Sequence, residues 1–263
     1  MAYEFVNVDD SAGSRLSAIW DGIVVNNSKW SVYDASAGTN HKVYRCNDSG
    51  NNVDYYVSVD DNQADFSTVE LWEGWDTSTH AGTGDSVTSP DSTNTIRFYG
   101  VRGTHVVYND HRVIIATAYN YLAHYVGQPK RFDTTKNMPF IIGRSSGNTT
   151  SWYNPLGYQN TNTTVFQRTL WNHSASVDQE IRAQNYNSTF NYTRTSSGQQ
   201  VFEETPFYDV GTNVLLGYLD GVKHVYSSAQ GRWKGEEVEA EDGRWLYQTG
   251  NYSTWTGCWI RLA

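Results

Sequence analysis

His111-Arg-Val-Ile-Ile-Ala-Thr-Ala-Tyr-Asn-Tyr-Leu-Ala-His-Tyr-Val126 is the strongest strand signal in this chain of 263 residues. It is dense in β-branched and aromatic side chains, and it divides into strands at Arg112–Tyr119 and Leu122–Val126. A further apolar run, Phe140–Ile142, follows closely. The joining stretch, Gly127-Gln-Pro-Lys-Arg-Phe-Asp-Thr-Thr-Lys-Asn-Met-Pro-Phe-Ile-Ile-Gly143, has two prolines bracketing Lys130, Arg131 and Lys136. Such a loop is partly rigid, so it loses less entropy when it docks.

Outward from this centre the same period of two recurs. Upstream, Trp30–Tyr33, Val43–Cys46, Asp54–Val59 and Phe66–Trp72 alternate, separated by the turn formers of 34–40 and 47–52, and read as a β-meander. Thr77–Thr95, rich in Gly, Ser, Thr and Asp, reads as a surface loop. Strands resume at Thr95–Val101 and His105–Tyr108 with Arg102-Gly103 as a tight turn between them, and Asn109-Asp110 is a further turn. Downstream, 144–200 is polar, with alternation at Val165–Leu170 and near Ala183–Tyr192. Val214–Tyr226 reads as two strands meeting at Asp220-Gly221, a two-residue hairpin signal. Arg244–Gln248 and Trp255–Leu262 close the chain, with a turn at Asp242-Gly243.

One segment departs from this period. Leu16, Ile19, Trp20, Ile23 and Val24 recur at helical spacing, Asp9, Asp10, Ser11 and Ser14 offer N-caps, and Asn26-Asn27 stops the helix. The chain is therefore expected to be mainly β, a β-sandwich-like fold with an N-terminal amphipathic helix and long polar loops. Residues 1–29 form an N-terminal extension and helix, and 30–263 a β-rich domain with a possible loop-rich insertion near 144–200.

Composition narrows the function classes. A net charge of −9 argues against non-specific binding to nucleic-acid phosphates or to anionic membranes. Aromatic residues make up 14% of the chain, too many for a disordered one. The first residues lack the basic and apolar regions of a signal peptide, and no apolar run approaches the roughly 20 residues of a membrane helix. Synthesis in a cytoplasm without a cleaved signal is the expectation. Cys46 and Cys258 have no metal-ligand spacing; one bridge between them is an open arrangement, and two independent buried thiols are the favoured one.

No motif specifies catalysis. Glu236–Asp242 holds several carboxylates, but glycoside hydrolysis needs two facing a sugar from opposite sides, and neighbours ahead of an Asp-Gly turn read as a solvated edge. Asp60-Asp61-Asn62 with Asp65 lacks the Gly and Glu of a calcium loop and reads as a turn. The seven histidines (41, 80, 105, 111, 124, 173 and 224) show no metal-binding spacing. There is no nucleophile elbow and no phosphate-binding glycine pattern. No enzyme, cofactor or metal is expected.

What remains is surface recognition. Trp72-Glu-Gly-Trp75 beside the Gly-rich loop suits sugar stacking, but ten Trp and nineteen Tyr exceed what one sugar site uses, which favours protein interfaces. Lys130, Arg131, Phe132 and Lys136, with Trp72 and Trp75, are the candidate interface residues. The basic loop suits acidic surfaces of neighbouring subunits or nucleic acid in a channel, and an ordinary solvated loop is the bland alternative.

Short blocks across most of the chain carry a resemblance. Trp30-Ser-Val-Tyr-Asp34, Val43-Tyr-Arg-Cys46, Tyr55-Tyr-Val-Ser-Val-Asp-Asp61 and Glu70-Leu-Trp-Glu-Gly-Trp-Asp76 resemble virion structural proteins of tailed bacteriophages. Tyr125-Val-Gly-Gln-Pro-Lys-Arg-Phe-Asp133, Asn137-Met-Pro139, Leu215-Leu-Gly-Tyr-Leu-Asp-Gly-Val222 and Cys258-Trp-Ile-Arg261 do so too. The resemblance implies a β-rich, non-enzymatic structural subunit of the tail, neck or baseplate, forming a ring or appendage from copies of itself and other virion proteins. It implies localisation to the virion after synthesis in the host bacterial cytoplasm. A glycan- or receptor-binding module on the virion surface, with a host glycan as partner, is the alternative.

Overall fold

The structure, a computed structural model, describes residues 2–6, 16–62, 66–87, 96–99, 104–117, 123–135, 137–145, 165–169, 181–183, 203–209, 214–226, 235–249 and 256–263. Lys136, Asp65, Arg102, Gly103, the N-cap candidates Asp9, Asp10, Ser11 and Ser14, and most of 144–200 lie outside the described residues.

The chain opens with β1 (Ala2–Val6) and α1 (Leu16–Asn26). The meander follows as β2 (Trp30–Gly38), β3 (His41–Asp48), β4 (Val53–Asp60), β5 (Phe66–Asp76) and β6 (Ala81–Val87). Then come β7 (Ile96–Tyr99), β8 (Thr104–Tyr108), β9 (Arg112–Thr117), β10 (Ala123–Gly127), β11 (Lys130–Arg131) and β12 (Phe140–Ser145). β13 (Val165–Thr169), β14 (Ile181–Ala183), β15 (Glu203–Asp209) and β16 (Val214–Tyr226) lead to β17 (Glu237–Ala240), β18 (Gly243–Thr249) and β19 (Thr256–Arg261). Among the described residues all strand pairs are antiparallel, in two sheets. The larger runs β1-β8-β9-β10-β12-β7-β5-β4-β3-β2, with β13 on β12 and β6 on β5. The smaller runs β14-β15-β16-β19-β18-β17, with β11 on β16.

The mainly β, sandwich-like fold with one N-terminal helix is thus present, and the opening sequence stretch lies at its middle. Along β8, β9, β10 and β12, successive side chains enter opposite cores. Val106, Tyr108, Val113, Ile115, Val126 and Ile141 join the core that contains α1 and the inner face of the meander. Val107, Ile114, Ala116, Ala123, Tyr125 and Ile142 pack against Phe207, Leu219, Val222, Leu246, Cys258 and Ile260 of the smaller sheet. Strands buried on both faces need apolar residues at every position, which is why this region reads as an almost unbroken hydrophobic run. The larger sheet has curled over, as twisted sheets beyond about ten strands do, and α1 fills the fold. Burying Leu16, Ile19, Trp20 and Ile23, each at most 3% exposed, contributes on the order of 6–12 kcal/mol before entropy is subtracted.

The start of α1 is held from a distance. Asp61 Oδ1 accepts from the Leu16 N–H (3.0 Å), and Oδ2 accepts from the Ser17 N–H (3.1 Å) and hydroxyl (2.5 Å). The residue read from sequence as part of a simple turn satisfies helix donors some 45 positions earlier. At the other end, Asn26 Nδ2 donates to Gly22 O (3.1 Å) and Asn27 Oδ1 accepts from Lys29 N–H, which stops the helix as predicted.

Three local expectations need correction. First, Val214–Tyr226 is one continuous strand, because Asp220-Gly221 forms a bulge instead of a hairpin. The fully buried Arg112 donates to the Asp220 carboxylate (Nε at 3.2 Å, Nη2 at 3.1 Å). A Cβ on Gly221, whose φ is +76°, would lie 2.5 Å from the Arg112 guanidinium. Second, the supposed loop Thr77–Thr95 contains β6, paired with β5. Its glycines have packing reasons: a Cβ on Gly82 would lie 2.0 Å from the Trp72 indole. Third, β7 and β8 are not neighbours; β7 pairs with β5 and β12, and β8 with β1 and β9.

The turns at Asn109-Asp110 and Asp242-Gly243 do connect paired strands. Cys46 and Cys258 form no disulfide with each other and are both buried, one in each core. Among the described residues, no helix is long and apolar enough to cross a membrane.

Candidate functional site

The Gly127–Gly143 segment leaves the larger sheet at β10, visits the smaller one, and returns as β12 beside β10. Its middle is β11, in which Lys130 and Arg131 pair with Tyr218 and Gly217. Gly217 permits this approach, since a Cβ there would lie 2.1 Å from the Lys130 carbonyl oxygen. Gln128 N–H donates to His111 O (2.7 Å), and its Oε1 accepts from Met138 N–H (2.9 Å), tying together the two ends of the excursion.

The predicted interface residues meet different fates. The Arg131 guanidinium donates to the carbonyls of Asn51 and Asn52, the latter at 3.3 Å, so it anchors the segment to the turn after β3. Burial lowers the Arg131 pKa, with nearby Asp133 opposing the shift. Lys130 is exposed. Phe132 is 61% exposed; its N–H donates to Leu216 O (2.9 Å) and its ring meets Tyr218 edge-on at 5.6 Å. Leu215, 41% exposed, lies beside that hydrogen bond in sequence. Thr135 N–H and hydroxyl cap Asp133 Oδ1 in a closed turn (3.0 and 2.5 Å). Backbone pairing on one side and the Arg131 anchor on the other present Phe132 on a fixed support.

Trp72 and Trp75 lie on the outer face of the meander, and Trp75 is far less open than a sugar platform requires. The register with β6 shifts between Trp72 and Gly74, where β6 carries one extra residue, and Trp75 lies in the same outer cluster as Trp72. Trp75 is only 8% exposed and donates through Nε1 to Asp34 Oδ2 (2.9 Å). The same oxygen meets His80 Nδ1 at 2.8 Å, and Ser36 N–H and hydroxyl bond Asp34 Oδ1 (3.0 and 3.2 Å). Burial alone would raise the Asp34 carboxyl, but these hydrogen bonds outweigh it and hold the pKa down at about 2. The β5–β6 turn is thereby clamped over the outer face, and the Trp75 ring meets His41 edge-on at 6.0 Å.

Sequence reasoning passed over the open part of this face. Tyr33, the extra residue of a bulge between Val32 and Asp34, meets the Tyr56 ring edge-on at 4.8 Å. The Arg45 guanidinium lies 5.5 Å from the Tyr56 ring centre and 5.9 Å from that of Tyr33. It forks onto Asp54 with bonds of 2.8 and 2.7 Å. Burial, opposed by Arg45, pushes the Tyr56 hydroxyl up to about 12, so it stays protonated. Trp72 is half-buried and donates to Glu70 Oε2 (3.3 Å), whose carboxyl burial raises. The alternation of Tyr33, Arg45 and Tyr56 was legible in the sequence; the bulge that turns Asp34 to this face and the place of Trp75 beside it were not.

Other chemistry-bearing groups are tied into the fold. His41 Nε2 and Ser58 Oγ lie 2.7 Å apart, but Ser58 is 4% exposed beneath the clamped hairpin, so the pair braces β3 against β4. His111 Nε2 and Lys29 Nζ both bind Asp48 (2.8 and 2.9 Å). Hydrogen bonds from Lys29, Asn51 and His111 hold the Asp48 carboxyl far below its usual range. The acidic run Glu236–Asp242 forms the exposed edge strand β17 and its turn, with Asp242 bound by Lys223 and by Trp245 Nε1. A polar cleft of about 370 Å³ opens between the end of α1 and the β8–β9 turn, lined by Asn26, Asn27, Asp110 and His111. Its Asn27 and Asp110 bond each other (3.2 Å) and fasten helix to turn. Among the described residues, no three His, Cys, Asp or Glu side chains gather as metal ligands. No family model matches the chain, and neither does any curated protein.

Proposed function

We propose that this chain is a structural subunit of a tailed-phage virion, associated with the tail, neck or baseplate, and that it works through protein–protein contacts and not by catalysis. The observation that carries the reading is Phe132, 61% exposed on a segment fixed from both sides. A large apolar ring held in water by a rigid support loses little entropy when a partner covers it. Exposed Lys130 next to it complements the acidic surface of further copies of a chain with net charge −9. The sandwich-like architecture and the short blocks that resemble virion proteins support the same reading. Copies of this chain and other virion proteins are the partners, in a ring or appendage.

The test is a Lys130→Glu, Phe132→Ser variant, which leaves the Arg131 anchor intact. The subunit is expected to fold with an unchanged circular-dichroism spectrum. It is expected to lose self-association in sedimentation velocity and to be absent from assembled particles by mass spectrometry. Wild-type levels of incorporation into particles would refute the proposal.

A further inference from the structure

The outer face of the meander carries a second surface, separate from Lys130 and Phe132 and independent of them. Arg45 is paired in register with Tyr56, and Tyr56 with Trp72, so the three form one row across β3, β4 and β5. Tyr33 extends the row onto β2. At about 4.8 Å between strands, the row spans roughly 14 Å. Its aromatic members differ in access: Tyr33 is 38% exposed, Trp72 is half-buried against Gly82, and Tyr56 is the floor between them.

The charges of this face decide what fits it. Arg45 is already forked onto Asp54, and Asp34 is already taken by Trp75, His80 and Ser36. Glu70 and Asp60 are the remaining carboxyls of this face; burial raises the Glu70 pKa, and the Asp60 charge adds to the shift. The guanidinium among the rings is thus already neutralised by Asp54, in a chain with net charge −9. An ionic ligand would have to break existing pairs to bind. A neutral polyhydroxylated one stacks its C–H faces on the rings and adds hydrogen bonds to the Glu70 carboxyl, which Trp72 engages at one oxygen. A protein partner fits less well, because interface cores are depleted of charged residues, whereas here Arg45, Asp54 and Glu70 stand among the rings. A few oriented polar groups set between aromatic walls are the usual make-up of a small-ligand site.

We infer that the row Tyr33–Arg45–Tyr56–Trp72 is a binding site for a neutral oligosaccharide of a few sugar residues. Tyr33 and Trp72 are the stacking surfaces. Arg45 is a positioning residue that fixes the Asp54 carboxylate and the Tyr56 ring.

The test is an array of neutral and acidic oligosaccharides probed with the full chain, followed by calorimetric titration of the strongest neutral hit. Wild-type protein is expected to bind neutral glycans, with a change in tryptophan fluorescence that Trp72→Phe removes. Tyr33→Ala, at an exposed position, is expected to weaken binding at least about tenfold while the thermal midpoint stays unchanged. The Lys130→Glu, Phe132→Ser variant is expected to bind sugar normally, which keeps this inference distinguishable from the assembly proposal. Hits confined to acidic glycans, no hits at all, or equal affinity in Tyr33→Ala would overturn it. Loss of self-association in Tyr33→Ala without any sugar binding would overturn it too, by making the face a contact between copies.

Discussion

Removing the Asp61 carboxylate tests how the helix is built into this β fold. Each of its oxygens accepts twice: Oδ1 from Leu16 N–H and the Ser67 hydroxyl, Oδ2 from Ser17 N–H and hydroxyl. Asp61→Ala leaves two buried helix-start N–H groups without their acceptor, each costing about 1–3 kcal/mol. The attraction between a carboxylate and the positive end of the helix is lost as well. The expected destabilisation is about 4 kcal/mol. Asp61→Asn keeps one acceptor oxygen but turns an NH2 toward the other set of donors, so it should cost about 2 kcal/mol. Asp60 is the control, because its Oδ1 bonds only Asn62 in a local turn; Asp60→Ala should cost about 0.5 kcal/mol. With a urea slope of about 3 kcal/mol per molar, the midpoints should fall by roughly 1.3 M, 0.7 M and 0.2 M respectively. Hydrogen exchange gives a local readout, since the Leu16 and Ser17 amides should lose protection first in Asp61→Ala. Equal midpoints for Asp61→Ala and Asp60→Ala would refute the claim that a distant carboxylate holds the helix start.

Two further outcomes follow from the same geometry. Gly221→Ala places a methyl 2.5 Å from the Arg112 guanidinium at φ +76°, so it should strain the bulge and disturb the Arg112–Asp220 pair. A loss of about 2–4 kcal/mol is expected in thermal unfolding, and an unchanged midpoint would contradict the bulge. For pH, the depressed Asp34 carboxyl contributes stability that is fully present above its unfolded value of about 4 and is lost as pH falls through about 2. Acid titration of Asp34→Asn should therefore show a flatter stability profile between about pH 4 and 2 than wild type; parallel profiles would argue against the Trp75–His80 clamp.

Much of the architecture was legible in the order of residues. Alternation marked β2 to β5, the helical spacing of Leu16, Ile19, Trp20 and Ile23 marked the buried face of α1, and Asn109-Asp110 and Asp242-Gly243 marked real turns. The candidate site was legible only in part. Phe132 and Lys130 sit on the surface, but Arg131 is an anchor and Trp75 is buried, while Tyr33, Arg45 and Tyr56 were passed over.

The division has a physical origin. Period, capping and turn chemistry act within a few residues of chain, so the amino-acid order by itself determined that this is a strand-rich protein with one amphipathic helix. Asp220-Gly221 has the local chemistry of a hairpin, yet it became a bulge because Arg112, 108 residues away, needed a carboxylate and the space of a missing Cβ. Gly82 and Gly84 look like loop residues, yet they lie in a strand because the Trp72 ring and the Glu73 side chain occupy the places of their Cβ atoms. The bulge at Tyr33 brought Asp34 opposite Val43, onto the face where Trp75 bonds it, against the parity that alternation implies. Which strands became neighbours, and which rings and charges came together on a surface, was decided only in the tertiary structure, where contacts distant in sequence outweigh local preference.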